Sequence, residues 1–240
     1  MSRAALVLVA LALTACESNQ ERSASIETTV KAHAHVIAAR EALAQRALSI
    51  TKVSTKVKVI ATGVVHSSEG AAAIVTLQND SGVSLLAVPI QIDVENAHGT
   101  SVYRNDTAGT SKTLVSAALL PAHATLTWID DQVQASGVPA SVVAKVGEGA
   151  PITGPIPRVS IQGTHLSEAS AAEGSIVNAS SVTQQELVID AVARKGNKIV
   201  AAGRAVIPTA GAGSTAFQLF LVGNPSGARV EYSALATTPG

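Results

Sequence analysis

Between Val88 and Glu95 the chain reads Val-Pro-Ile-Gln-Ile-Asp-Val-Glu, with apolar and polar residues alternating. A strand turns successive side chains to opposite faces. Val88, Ile90, Ile92 and Val94 therefore share one face, and Gln91, Asp93 and Glu95 the other. This is the pattern of a half-buried antiparallel strand. Pro89 has no N–H for a ladder and belongs at an edge or a bulge. Asn96-Ala97-His98-Gly99 supplies a turn, and Val102-Tyr103 begins the return strand. The same period of two appears upstream, where Val57 and Val59 alternate with Lys56 and Lys58.

The order of signals then repeats. Asn79-Asp80-Ser81 precedes the first strand pair and Asn178-Ala179-Ser180 a second. Ile92-Asp93, Gly99 and Val102 match Ile189-Asp190, Gly196 and Ile199 without a gap. A further strand follows in each copy, Pro121 to Ile129 and Gly211 to Val222, and each closes on a short strand, Ser141 to Val146 and Arg229 to Ala234. Short strands with turn signals at regular intervals read as a β-sandwich. The expectation is all-β: two tandem Ig-like antiparallel sandwiches over 51–148 and 157–236. They are joined by a Gly/Pro linker over 149–156 that its prolines stiffen, and residues 237–240 form a tail. Ahead of them, Val30, Ala34, Ile37, Ala38, Ala44 and Leu48 fall near helical spacing in an Ala-rich stretch, which predicts a short helix over 29–50.

Charged residues make up only 14% of the chain and the formal net charge is zero, against a usual charged share of about 25%. That balance gives no electrostatic case for nucleic acid or for an anionic membrane surface. Aromatics, at 2%, offer few stacking platforms for bases or sugars. The one cysteine, Cys16, follows the uncharged apolar run Ala4 to Leu13, itself preceded by Arg3. The run is too short to span a bilayer and has the length of a signal-peptide core. Leu13-Thr14-Ala15-Cys16 resembles the lipobox of bacterial lipoproteins. The resemblance implies a signal peptide over 1–15, lipidation of Cys16, and a polar tether over 16–28. It further implies an extracytoplasmic protein anchored by lipid to the bacterial cell membrane or the outer membrane. Two acyl chains hold a protein stably where one does so only marginally. No second cysteine exists for a disulfide, so stability rests on side-chain packing and hydrogen bonds.

The second copy resembles the FxLYD-type Ig-like domains of bacterial lipoproteins. The residues that carry this are Asn178–Ser180, the strand Leu187–Asp190, the hairpin at Lys195-Gly196-Asn197 and the Phe-containing strand Phe217–Val222. Val188-Ile189-Asp190 stands where that family has Leu-Tyr-Asp. In the first copy Ile92-Asp93 remains and Trp128 stands in the region of the Phe. The resemblance implies modular, non-catalytic domains.

No catalytic set emerges from the residues. His33 and His35 lie two apart in the expected helix and point to nearly opposite faces. His66, His98, His123 and His165 are scattered over turns and strand ends, without metal-ligand spacing. Asp130-Asp131 is the one adjacent acidic pair, with no calcium-loop spacing around it, and reads as a solvated strand end. Asp93 and Asp190 recur between the copies, which suggests a shared constraint of the fold. No Gly-x-Ser-x-Gly elbow is present, and Gly211-Ala212-Gly213-Ser214-Thr215 lacks the lysine of a P-loop. Ser81, Ser180 and Ser181 read as turn caps. Asn79, Asn105 and Asn178 fit the N-glycosylation pattern and are taken to mark exposed turns. On one strand Phe217, Leu219 and Leu221 point to the core while Gln218, Phe220 and Val222 look outward.

The reading is therefore not an enzyme, with no cofactor, no metal and no nucleic-acid partner. It is a non-catalytic binding or scaffolding module that meets the membrane through its lipid and a protein or cell-wall partner through its sandwiches. Two alternatives stand beside it. One is a solute-binding component or enzyme with a site at the domain interface, where His165 and the Asp130-Asp131 pair would meet. The other is a passive spacer.

Overall fold

Alternating sequences build strands, and strands make up nearly all the regular structure. The computed structural model describes residues 47–152, 154–167 and 170–237. In chain order the strands are β1 (Val57–Ser67), β2 (Gly70–Asn79), β3 (Ser84–Glu95), β4 (Ser101–Arg104), β5 (Ser116–Leu120), β6 (Thr125–Val133), β7 (Ser141–Val146) and β8 (Ala150–Ile152). They continue as β9 (Val159–Leu166), β10 (Ala171–Asn178), β11 (Gln184–Lys195), β12 (Lys198–Ala210), β13 (Gly213–Phe220), β14 (Val222–Gly223) and β15 (Arg229–Ala234). The fold is all-β, its pairings are antiparallel, and a single 3-10 turn at Lys112–Leu114 is the one helical piece among the described residues. The signal peptide, Cys16, the tether and residues 29–46 of the expected helix lie outside the described residues. Ala47–Ile50 carry no regular secondary structure.

In the first copy β1–β2–β6 face a second sheet whose spine is β3, paired in parts with β4, β5, β7 and β8. Ile90, Ile92 and Val94 meet Val75, Leu77 and Trp128 in the core between them. In the second copy β9–β10–β13 face β14–β12–β11–β15. Ile189, Ala191 and Ala193 there meet Ile176, Phe217 and Leu219. Phe217, Leu219 and Leu221 are buried and Phe220 is 61% exposed, as alternation requires. Within the Gly/Pro segment Ala150–Ile152 form β8 and pair with Ser84–Leu86.

Two stretches break the half-buried pattern. Ala71–Val75 is buried residue after residue, and so is Ile189–Ala193. Ala71, Ala73 and Val75 enter the first core. Ala72 and Ile74 turn away from it yet are as buried, because they meet Val192 and Ala202 of the second copy. Val65 and Ile129 complete this third apolar cluster. Strands covered on both faces read as continuous apolar runs, which here are Ala71-Ala72-Ala73-Ile74-Val75 and Ile199-Val200-Ala201-Ala202-Gly203. The small residues admit close approach. Through this cluster the β1–β2–β6 sheet of one sandwich lies against the β14–β12–β11–β15 sheet of the other.

The three asparagines of the glycosylation pattern are not exposed. Asn79 is 0%, Asn105 0% and Asn178 2% exposed. The Asn79 side-chain amide donates to the carbonyls of Val83, Leu120 and Pro121, and its oxygen accepts from the Ser81 amide and hydroxyl. Asn178 does the same with Val182, Ala210 and Ser180. Asn105 accepts from the Ile92 amide and donates to the carbonyls of Ile90 and Leu114. A buried turn must satisfy its backbone groups internally, and these side chains do so. Asn178→Ala leaves buried carbonyls unpaired at about 1–3 kcal/mol each. Its urea midpoint should fall accordingly, while exposed Gln185→Ala should change little.

The clamps also set the register between the copies. Asn79 and Asn178, Ala87 and Glu186, and Ile90 and Ile189 are separated by the same length of chain. Ala87 and Glu186 both adopt positive φ, 47° and 49°. The residue of the first copy that occupies the place of Asp190 is therefore Gln91, not Asp93. A two-residue shift is invisible to a period of two, which is why the gapless match misplaces the pair.

Candidate functional site

Among the described residues buried charge concentrates at and beside the seam between the sandwiches. Alternation along β11 sends Ile189 and Ala191 to the core and Val188 and Asp190 toward the seam. Asp190 pairs across the ladder with Arg204 of β12. From β6 come Asp130 and Asp131. Asp130 is fully buried. It accepts from the Tyr103 hydroxyl at 2.8 Å and the Gln132 amide at 3.0 Å. Asp131 accepts from the Arg204 backbone amide at 3.0 Å, a contact that crosses from one sandwich to the other.

One guanidinium faces three carboxyl groups, and burial dominates. Desolvation pushes the Asp190 carboxyl up to about 8, with Asp131 adding to the rise and Arg204 and the Ile129 amide opposing it. Desolvation also lifts Asp130 to about 6 against the Tyr103 and Gln132 hydrogen bonds. Asp131 is raised by burial and held back by Arg204. Burial and the neighbouring Asp130 both raise the Tyr103 hydroxyl. Nε and Nη2 of Arg204, Oδ1 of Asp190 and Nε1 of Trp128 are buried without a hydrogen-bond partner. Among the described residues the Arg204 guanidinium forms no ion pair with these carboxyl groups, and burial favours the protonated form of each.

Beside the cluster the seam opens into two adjoining cavities. The inner one, about 30 Å³, has Trp128, Leu126, Val188 and Asp190 among its walls. The outer, about 270 Å³, is walled by Lys112, Thr113 and Ser116 of the first sandwich and Gln185, Glu186 and Thr237 of the second half. Thr113, Ser116, Ala118, Val188 and Thr237 belong to both.

Asp130 is buried inside the first sandwich against Tyr103, and half-buried Asp131 meets Arg204 across the seam, so neither is a solvated strand end. His165 does not join them. That ring lies on β9 in the sheet away from the seam, 3.7 Å from Glu173. His66 stands on β1, and His98 and His123 in turns. Among the described residues no three His, Cys, Asp or Glu side chains converge as a metal would require, and no helix is long and apolar enough to cross a membrane. Asp190 and Arg204 had a readable signal. Each is a lone charge inside an apolar run, Leu187-Val188-Ile189-Asp190-Ala191-Val192 and Ala201-Ala202-Gly203-Arg204-Ala205-Val206, and charges seldom lie so unless buried against a partner. No protein-family model matches the chain, and no curated protein matches it.

Proposed function

We propose that this chain is a lipid-anchored, extracytoplasmic cell-envelope protein that acts as a non-catalytic binding module. Cys16 carries the lipid, and the stacked sandwiches present the binding surface. The observation that supports binding over a passive spacer is the seam cavity, whose walls come from both sandwiches. Pockets favour such junctions, and a spacer has no use for one. The resemblance of Leu13–Cys16 to a lipobox supports the address, and that of the second copy to FxLYD-type domains supports a modular role. The partner is a protein or cell-wall component that the anchor holds within reach.

Two experiments test this. Labelling cells with an alkyne fatty acid should mark the wild-type chain and leave Cys16→Ser unmarked; equal labelling would contradict the anchor. In-cell crosslinking with mass spectrometry should recover the same partner in repeated growth conditions. Full function after exchange of the two sandwiches, with no partner captured, would instead establish the spacer.

A further inference from the structure

The outer seam cavity carries opposite charges on its two walls. Lys112 stands on the first sandwich and Glu186 on the second, and both side chains are exposed. Among the described residues neither has an ion-pair partner. Glu186 and Ala87, the two positive-φ strand residues of the copies, both reach this one cavity. The register that repeats within each sandwich is thus brought to a single place by the seam. The hydroxyls of Thr113, Ser116 and Thr237 supply neutral donors and acceptors between the charges.

A cation from one sandwich and an anion from the other, lining one cavity without pairing, suit an occupant that carries both signs. A simple anion would meet Glu186 unfavourably, and a simple cation Lys112. The inner cavity is mainly apolar, lined by Leu126 and Val188 with Asp190 beside them, and its volume of about 30 Å³ admits the tip of a small aliphatic side chain. We infer that the seam cavity binds a small zwitterion of the α-amino-acid class with an aliphatic side chain, its carboxylate at Lys112 and its ammonium at Glu186. This rests on the reading of the chain as a binding module and names the ligand class of the seam.

The chain carries its own reporter, since its single tryptophan, Trp128, lines the inner cavity. Titration of the full chain with L-valine should give a saturable change in tryptophan emission and a matching calorimetric isotherm. N-acetyl-L-valine, which lacks the ammonium, and L-valine methyl ester, which lacks the carboxylate, should bind at least about tenfold more weakly, the scale of one lost charged contact. Lys112→Met and Glu186→Gln should each weaken L-valine by about tenfold at unchanged thermal midpoint. No saturable signal with L-valine overturns the inference, as does equal binding of either derivative or indifference of binding to either substitution. Capture of a crosslinked partner despite absent L-valine binding would leave the module reading standing and remove the zwitterion.

Discussion

Raising the pH from about 5 to about 9 should destabilise this protein, and Asp190→Asn should remove most of the loss. The carboxyl of Asp190 titrates near 3.8 in a free chain and near 8 when folded. Between those values the folded chain holds a proton that the unfolded chain lacks. Stability is then highest below the lower value and falls as pH rises toward the upper one, by about 1.4 kcal/mol per pH unit for one group. From pH 5 to 8 the loss from Asp190 is on the order of 4 kcal/mol, large against a typical net stability of about 5–15 kcal/mol. Asp130, raised to about 6, adds a smaller loss in the same direction, completed at lower pH. The groups facing Asp190 are Asp131 from β6 and Arg204 from β12. A carboxylate held firmly by Arg204 would titrate low and give the opposite slope, with stability lost on acidification. Urea unfolding of wild type and Asp190→Asn across this range separates the two. A wild-type slope that is flat or rises with pH rejects the buried-proton account.

Truncation at the seam should have an effect of similar size. Ile74 is 1% exposed, but its side chain points away from its own sandwich core and into the cluster with Val192 and Ala202. If the sheets meet there, Ile74→Ala empties a buried site and costs about 2–5 kcal/mol. If the sandwiches stand apart, the same side chain faces water and its truncation costs no more than about 0.5 kcal/mol. Chemical denaturation decides between these values, and Ile90→Ala, in the first core, calibrates a truncation that is costly in either case.

Much of the fold was legible because a half-buried strand announces its two faces. Val88–Glu95 and Phe217–Val222 point as their alternation demands. The clamps were half legible. Asn-x-Ser marks a turn in both copies, but burial of the asparagine depends on distant carbonyls such as Leu120 and Ala210, which no local pattern reveals. The seam was not legible for a related reason. Ala71–Val75 and Ala201–Ala202 lack alternation, and a run without period two does not say what covers its second face. Asp130-Asp131, read as a solvated end, lies beneath β11 and β12, which follow it far along the chain. The match of Asp93 to Asp190 failed because a shift of two residues preserves every in-out position in a strand. The candidate site was legible only as a type of place, a domain junction. Its residues Lys112, Glu186, Asp190 and Arg204 come from separate elements that only the tertiary fold brings together.

The central claim is that the two sandwiches form one structure through a buried seam. The chain allows a direct test, because its only tryptophan, Trp128, lies in the first sandwich and its only phenylalanines, Phe217 and Phe220, in the second. Urea unfolding followed by Trp128 emission and by the fluorine signals of fluorophenylalanine reports the two halves separately in one sample. Coincident midpoints, displaced together by Ile74→Ala, are the predicted result. Two separate midpoints, with Ile74→Ala moving neither or only that of Trp128, would contradict it.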